Sequence, residues 1–545
     1  MKYLFLQVLR FIVFLVLLAV YSGCGKQVIS YRVIDASLLH CKEDTVVRDS
    51  IIYHPVRLDE KGAILPWYSS DLGLSYDIVI KLVWDFWDNM EIDSNGVKYY
   101  MNHQVWRPEH DKRGLGGDQV NMALSSWDLL YNYTGNPAVI ENMRYMADYY
   151  IAHSLSESTF AWPNIPYPYN CDIHSGEYDG DMVIGKGYVQ PDKAGSFGWE
   201  LTKLYKKTGE QKYLNIAIKI ANTLAEKIKV GDHEYSPWPF KVHAETGKVG
   251  HYRSGDKLLP STYTSNYTGA LEMFNALISL GVGNTVAYKK SFDITLDWMK
   301  EFPAKTNKWG PFFEDVPVWS DTQINAITYA MFLMEHPVYD TNWEQTVKSI
   351  FGWVHKELGN KEFMKYDVFC TNEQTAYRVP GNSHSSRQAS VEILYWSLTG
   401  DTTYLANAIR ELSWATYMVD WDGKNFYPRD DIWLTDGYGD YVRHYIRAMS
   451  AAPQLAPANS DHLLKTSSIV KQINYNPSSI IYNVFDDFSE EIFRLTLKPK
   501  EIRVNDLMLE RIFDDSAEGW LWQPLDEGGI LKIKQARGNK IEIIK

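Results

Sequence analysis

The stretch LTKLYKKTGEQKYLNIAIKIANTL, residues 201–224, decides the fold of this chain. An apolar helical run ends at a Thr-Gly pair, a short polar turn follows, and a second apolar helical run begins. Gly209 stands where the C-cap of a helix needs a residue in the left-handed conformation. The same arrangement recurs in LLYNYTGNPAVIENMRYMADYY, residues 129–150, and in ILYWSLTGDTTYLANAIRELSWATYM, residues 393–418. This repeat, with a period of roughly 60 to 75 residues, predicts a chain built of helical hairpins.

The two helices of each hairpin differ in their pattern. In the second helix a single apolar stripe follows the helical period, as in Tyr213, Ala217, Ile220, Ala221 and Leu224, which is typical of an outer helix with one exposed face. The first helix is apolar nearly all round, as a helix buried on both sides should be. We predict inner helices near 117–134, 191–208, 264–281, 320–335, 383–399 and 434–449. We predict outer helices near 75–90, 137–153, 211–227, 286–300, 343–357 and 402–418.

Six inner and six outer helices favour a closed ring over the alternative, an open helical solenoid. The expected helical domain covers residues 71–455, without β-strands between 117 and 449. After about residue 460, segments such as RLTLKPKEIRVNDLML alternate apolar and polar residues between turns, which predicts a small antiparallel, β-sandwich-like domain over 460–545. Residues 25–70 carry no clear pattern and are expected to wrap the ring as an N-terminal extension.

The N-terminus has the pattern of an export signal. Lys2 and Arg10 precede an apolar run, and Ser22 and Gly23 lead directly to Cys24. A Cys after small residues resembles a bacterial lipobox, so residues 1–24 are predicted to be a lipoprotein signal peptide with Cys24 as the lipidated residue. The lipid is the only membrane attachment predicted. The residues after Cys24 are not acidic, which favours the periplasmic side of the cell envelope over the cell surface.

Composition narrows the class of ligand. The net charge of −13 argues against a nucleic-acid partner, which would require a basic surface. Aromatic residues make up 14% of the chain, with 19 Trp and 37 Tyr, which fits both a helical core and a cleft that stacks rings on sugars. The sequence has no HExxH motif and no metal-ligand spacing of Cys and His, so neither a metal nor a cofactor is predicted.

With these hairpins, the sequence over roughly residues 70–450 resembles the six-hairpin (α/α)6-barrel superfamily of carbohydrate-active enzymes. The resemblance rests on the YxxTGxxxY hairpins and on the architecture, without a catalytic signature. It implies a mainly α fold, an (α/α)6 barrel followed here by the β domain, and an oligosaccharide or polysaccharide substrate. The superfamily includes glycoside hydrolases, unsaturated glucuronyl hydrolases, polysaccharide lyases and epimerases, so the fold alone does not choose the reaction.

In such barrels the loops that enter the inner helices meet at one mouth, and polar residues stand at each predicted entrance. His384 and Arg387 are three residues apart and share a helical face, and Tyr263 and Tyr267 are four apart. These residues fit elimination at a uronate, in which the substrate carboxylate is neutralised and the neighbouring C5 proton is removed. We assign Tyr267 or His384 as base or acid, with Arg387 and Asn325 as the neutralising groups. The predicted substrate-binding residues are Tyr263, His243, Trp106, Trp309 and Trp319.

Two other functions stay open. Hydrolysis, as in a glucuronidase or an unsaturated glucuronyl hydrolase, needs two carboxyl groups across the glycosidic bond. Asp118, Asp192, Asp321 and the Glu314–Asp315 pair are the candidates. A non-catalytic, glycan-binding lipoprotein is the third reading, and the polar entrances argue against it.

Overall fold

A computed structural model describes residues 32–39, 44–90, 92, 117–168, 178–181, 185–313, 316–426, 438–514 and 517–545. The chain is mainly helical with a C-terminal β-sheet region, and long helices lie at the twelve predicted positions. They are α1 (Leu72–Asp88), α2 (Gly117–Thr134), α3 (Pro137–Ser154), α4 (Pro191–Thr208), α5 (Gln211–Lys227), α6 (Thr268–Leu280), α7 (Thr285–Glu301), α8 (Gln323–Glu335), α9 (Trp343–Glu357), α10 (Asn382–Thr399), α11 (Leu405–Thr416) and α12 (Tyr438–Ala451).

The packing partners of the even-numbered helices follow one another in a cycle. Helix α2 contacts α4, α4 contacts α6, α6 contacts α8, α8 contacts α10, and α10 contacts α12. Helix α12 contacts α2 again, so the series returns to its start. Each even-numbered helix also packs on an odd-numbered helix, the next in the chain for α2 to α10 and α1 for α12, and α6 contacts α5 as well. The even-numbered helices are therefore the inner ones.

Local signals account for the hairpins. The stripe predicted on α5 is buried from Tyr213 to Leu224. Gly209 ends α4 with a φ of +77°, and its N–H donates to the carbonyl of Tyr205 at 2.7 Å. Where α4 and α6 cross, a Cβ at Gly195 would lie 2.6 Å from the Cβ of Ala270, so this approach requires glycine.

The inner helices are less apolar than predicted. On α4, Lys193, Glu200 and Lys207 are buried, and on α12 Asp440 and His444 are buried. These charged groups compensate one another inside the ring; Lys207 Nζ, for example, lies 3.0 Å from Asp128 on α2. The expectation of helices that are apolar nearly all round is therefore wrong for α4 and α12.

Two sets of strands were not predicted. Residues 44–65 form a three-stranded antiparallel sheet of β1 (Asp44–Ile51), β2 (His54–Asp59) and β3 (Ile64–Leu65), and β3 packs on α11. Short antiparallel ladders also occur between 117 and 449, where no strand was expected. They pair Gly180–Asp181 with Gly185–Lys186, Tyr188–Val189 with Val242–His243, His251–Ser254 with Lys257–Pro260, and Gly359–Asn360 with Cys370–Thr371. All lie in connections between helices, so they add to the hairpins without interrupting them.

The C-terminal region forms two antiparallel sheets. Their strands are β4 (His462–Thr466), β5 (Val470–Tyr475), β6 (Ser479–Val484), β7 (Ser489–Leu495), β8 (Glu501–Val504), β9 (Leu507–Met508), β10 (Gly519–Pro524), β11 (Gly529–Gln535) and β12 (Lys540–Ile544). One sheet has the order β4-β7-β11-β10 and the other β5-β6-β12-β8-β9. Strand β4 packs on α2 and α12, and β5 packs on α4, so the sheets lie against the C-terminal ends of inner helices.

Among the described residues, no helix combines the length and the apolar character needed to cross a bilayer. Cys24, the predicted lipidation site, lies outside the described residues.

Candidate active site

The start of α10 brings two of the predicted catalytic residues together. A guanidinium nitrogen of Arg387 lies 3.4 Å from Nδ1 of His384, as their spacing on one helical face predicted. The other imidazole nitrogen, Nε2, lies 3.3 Å from Oε2 of Glu373. Both side chains of this His384–Glu373 pair are buried, with exposed fractions of 5% and 7%. An imidazole and a carboxylate in contact are the usual components of general acid–base chemistry.

Glu373 is the residue that the sequence reading missed. It follows the short strand Cys370–Thr371, and its backbone is fixed by hydrogen bonds to Val379 and Gln323. The side-chain amide of Gln374 donates to Oε1 of Glu373 at 2.5 Å, so one carboxylate oxygen is held in place while the other faces His384. The signal available in the sequence was a carboxylate shortly before an inner helix with a His in its first turn.

Arg387, predicted to bind a substrate carboxylate, is already bound to groups of the protein. Its guanidinium pairs with Asp440 on α12 and donates to Oε1 of Gln323 at 2.8 Å. Burial alone would raise the pKa of Asp440, but Arg387, Arg443 and His444 together hold it well below its ordinary value. The charge of Arg387 therefore already stabilises a buried carboxylate of the protein.

The side chains of Tyr267 and Asn325 are both hydrogen-bonded within the protein, and their assigned catalytic roles stay predictions. The Tyr267 hydroxyl is fully buried and contacts the carbonyl of Trp238 at 2.6 Å and Ser236 Oγ at 2.9 Å. Burial raises the pKa of this hydroxyl well above its usual range, which disfavours the ionised form that a base requires. The side-chain amide of Asn325 donates to the carbonyls of residues 309, 310 and 311 at 3.1, 3.1 and 3.2 Å. Asn325 thereby braces the loop before α8.

The predicted aromatic residues fall in that same loop region. Trp309 is fully buried, and Tyr263 is buried with its hydroxyl donating to the carbonyl of Lys308 at 2.7 Å. Trp319 is half-buried beside Tyr263, with ring centroids 5.6 Å apart. His243 lies in a short ladder against Tyr188, with ring centroids 5.3 Å apart. None of these contacts involves His384, and Trp106 lies outside the described residues.

Of the carboxylates proposed for hydrolysis, the two that the structure describes accept hydrogen bonds from the protein. Asp321 accepts hydrogen bonds from the N–H groups of Trp309 and Gly310, both at 2.8 Å, and from Trp319 Nε1 at 3.1 Å. Asp192, in the first turn of α4, accepts from Asn266 Nδ2 at 2.9 Å, and burial raises its pKa. The side chain of Asp118 and the Glu314–Asp315 pair lie outside the described part of the chain.

Two phenylalanines connect the His384–Glu373 pair with the interior of the ring. Phe313 packs edge-on against His384 at a centroid distance of 6.1 Å, and Phe312 packs edge-on against Phe313 at 5.0 Å. Phe312 lines a cavity of about 200 Å³ between the inner helices. Lys193 Nζ donates to the Phe312 carbonyl at 3.0 Å and lies over its ring, which fixes this aromatic pair. Within the described ranges, no group of three or more His, Cys, Asp and Glu side chains is arranged to hold a metal.

The fold is similar to that of several solved sugar-converting enzymes. The cellobiose 2-epimerase of Spirochaeta thermophila aligns over 69% of this chain and 97% of its own, with 13% identity and a TM-score of 0.53. A sugar epimerase from a ruminal bacterium (69% and 98%, 11% identity) and a D-mannose isomerase (69% and 97%, 12% identity) each give a TM-score of 0.50. No protein-family model and no curated protein sequence matches the chain. At these identities the likeness shows the fold alone.

Proposed function

We propose that this chain is an (α/α)6-barrel enzyme that transfers a proton at a carbon atom of a sugar, with His384 and Glu373 as the acid–base pair. The observation that carries the proposal is the 3.3 Å contact between Nε2 of His384 and Oε2 of Glu373 at the start of an inner helix. The cyclic contacts of the inner helices support the closed barrel. The likeness in fold to sugar epimerases and an isomerase supports a carbohydrate substrate.

The pair offers an acid and a base at one place. Because a guanidinium only donates, Nδ1 of His384 accepts from Arg387 and the imidazole proton sits on Nε2, directed at Glu373. A sugar bound beside the pair would meet the imidazole as a proton donor for an oxygen and the carboxylate as a base for a C–H. Epimerisation and isomerisation need this combination, since a proton leaves carbon while charge develops on the adjacent oxygen.

Elimination at a uronate begins with the same proton transfer and is the second form of this proposal. It additionally needs groups that stabilise the negative charge of the substrate carboxylate, and the two residues assigned to that role already bind other groups of the protein. Arg387 is paired with Asp440, and Asn325 braces a loop. The closeness of Arg387 to His384 favours this second form only if the substrate displaces Asp440 from Arg387.

The test is a set of incubations in D₂O with neutral and uronate-containing oligosaccharides. Deuterium at a sugar carbon is followed by NMR, unsaturated uronates by ultraviolet absorbance, and new reducing ends by a colorimetric assay. We expect deuterium in a recovered, unbroken sugar. New absorbance would instead assign elimination, new reducing ends would assign hydrolysis, and binding without any conversion would assign a glycan-binding protein.

Variants locate the chemistry. His384→Gln and Glu373→Gln should each lower the exchange rate by about 100-fold to 10,000-fold, the usual contribution of a positioned acid or base. His233→Gln is the matched control, because His233 also lies beside a glutamate, at 3.8 Å from Glu234, but is 77% exposed on the surface. If His384→Gln and Glu373→Gln exchange deuterium as fast as the control variant and the parent protein, the pair has no part in the mechanism.

We also propose that the protein is anchored in the cell envelope by lipid on Cys24. The apolar run and small residues that precede Cys24 support this. Cys24→Ser should abolish incorporation of labelled fatty acid and move the protein from the membrane fraction to the soluble fraction, since acyl chains supply the attachment. Retention in the membrane fraction without the label would contradict it.

A further inference from the structure

Two adjoining cavities lie inside the ring of inner helices, away from His384. The cavity that Phe312 lines, called the upper cavity, has a volume of about 200 Å³. The cavity that Lys465 of β4 lines, called the lower cavity, has a volume of about 260 Å³. They share five lining residues, namely Ser125, Lys203, Met331, Glu335 and Arg447. The lower cavity reaches the second half of α10, strand β4 and Ile492 of β7. Neither lining contains His384 or Glu373, so this interior space is distinct from the proposed acid–base pair.

Most charged groups around these cavities are compensated by the protein itself. Lys203 Nζ lies 2.7 Å from Oε2 of Glu200, and Lys207 Nζ lies 3.0 Å from Asp128. Arg443 pairs with Asp440. Each of these three cations is thus paired with a carboxylate of the inner helices.

Arg447 is different. It lies one helical turn after Arg443 on α12 and lines both cavities. No carboxylate oxygen of the described residues lies within 4.0 Å of its guanidinium, and no hydrogen-bond acceptor is found for it there. Burial lowers the pKa of Arg447 to about 10, so the guanidinium remains charged at neutral pH.

The opposite wall adds a second cation and several hydroxyl groups. Lys465 of β4 lines the lower cavity and has no ion-pair partner among the described residues. The hydroxyl-bearing lining residues are Ser125, Ser390, Ser397, Ser450, Thr466 and Ser468. The acidic lining residues are Asp128, which is held by Lys207, and Glu335, which is exposed. All of these hydroxyl groups except that of Ser125 donate to acceptors of the protein, so the two cations are the groups left to bind a ligand. Glu335 attracts Arg447 electrostatically but forms no ion pair with it within 4.0 Å.

We propose that the lower cavity is a binding site for an oxyanion, a carboxylate or phosphate group, held between Arg447 and Lys465. A partly buried guanidinium without an ion pair or hydrogen bond is costly to keep, and its planar shape matches the two oxygens of such an anion. The site is independent of the proposed function, because its residues belong to other parts of the inner helices. Its place between α12 and β4 makes bound anion a bridge between the helical and β-sheet regions.

The test uses the full chain in anion-poor buffer, titrated with inorganic phosphate, glucuronate and chloride, with thermal unfolding and calorimetry as readouts. We expect saturable binding and a rise in the unfolding temperature with phosphate, glucuronate or both, because a ligand of the folded state stabilises it. Which of the two binds identifies the group. An equal response to chloride at the same ionic strength, or no response to any of the three, would overturn the proposal in favour of general salt effects or a cavity filled by water.

Arg447→Met should weaken the binding of phosphate or glucuronate about tenfold to 100-fold, the scale of a hydrogen bond to a charged group. In anion-poor buffer the same variant should unfold at the temperature of the parent protein or above it, since an unpaired charge has been removed. Arg410→Met is the matched control, because Arg410 is a surface residue 2.9 Å from Asp367 and outside both linings. If Arg447→Met does not fold, Lys465→Met on the exposed side of β4 should still lower the affinity. Parent-like affinity in the folded variants would refute the site.

Discussion

Asp440 holds together the buried charges where α10 meets α12, and Asp440→Asn tests that role. The variant keeps the shape of the side chain and removes its charge. Asp440 contacts Arg387, Arg443 and His444, and its exposed fraction is 1%, against 3% for Arg387 and 11% for Arg443. Without the carboxylate, two nearly buried guanidinium groups lose their counter-charge. Removing one partner of such a buried pair costs about 3–5 kcal/mol of unfolding free energy.

The measurement is urea unfolding followed by far-ultraviolet circular dichroism, at neutral pH. Asp293→Asn is the matched control, because Asp293 pairs with Lys289 at 2.5 Å on the surface of α7, where the exposed fractions are 49% and 61%. A surface pair of this kind contributes less than about 1 kcal/mol. Asp440→Asn should therefore shift the helical transition to a clearly lower urea concentration than Asp293→Asn. Indistinguishable midpoints for the two variants would refute the reasoning from burial.

Three further predictions concern single features of the fold. Tyr267→Phe should lower the unfolding free energy by about 1–2 kcal/mol through a lost buried hydrogen bond, yet leave kcat/KM on the true substrate unchanged; a large loss of kcat/KM would restore Tyr267 to the mechanism. Gly195→Ala should lower the unfolding free energy by about 1–3 kcal/mol because the new Cβ overlaps α6, whereas Gly352→Ala should leave it unchanged because the space around Gly352 is open. The midpoints of denaturant unfolding of the two variants test this difference. Burial lowers the pKa of His444 to about 3 and of His462 to about 4, so below pH 6.5 the unfolded chain binds protons that the folded chain does not. Their contribution to stability is therefore present above pH 6.5 and declines by roughly 2 kcal/mol per histidine at pH 5, and a His462→Gln variant should show a flatter dependence of the urea midpoint on pH.

The helices were predictable because their signals are local. The apolar stripe from Tyr213 to Leu224 is buried as its spacing indicated, and Gly209 adopts the left-handed conformation that its place after Thr208 indicated. Each signal lies within a few turns of one helix, so no knowledge of distant contacts was needed. The β1–β3 sheet lacked such a signal, because nearly all of β1 is exposed and no alternation of apolar and polar residues marks it.

The candidate site was only partly predictable, for a physical reason. A polar residue at the start of an inner helix has the same appearance in the sequence whether it binds substrate or braces a loop. Asp321 and Asn325 are polar because the loop before α8 folds back and offers them backbone N–H and carbonyl groups. That return of the chain depends on tertiary structure. His384 and Arg387 were brought together as predicted because their contact depends only on the helical period.

The charged residues inside the ring could have been recognised in the sequence. The prediction of apolar inner helices did not take their spacing into account. Glu200, Lys203 and Lys207 on α4 are spaced three and four apart, and Arg443 and Arg447 on α12 are four apart. This is the spacing of a solvated face on a surface helix. A helix that the hairpin order places inside the ring has no outer surface on which to put such a face. The charges must then face either one another or a cavity that contains water or ligand. Arg447 is the member of the set that has no ion pair within 4.0 Å among the described residues.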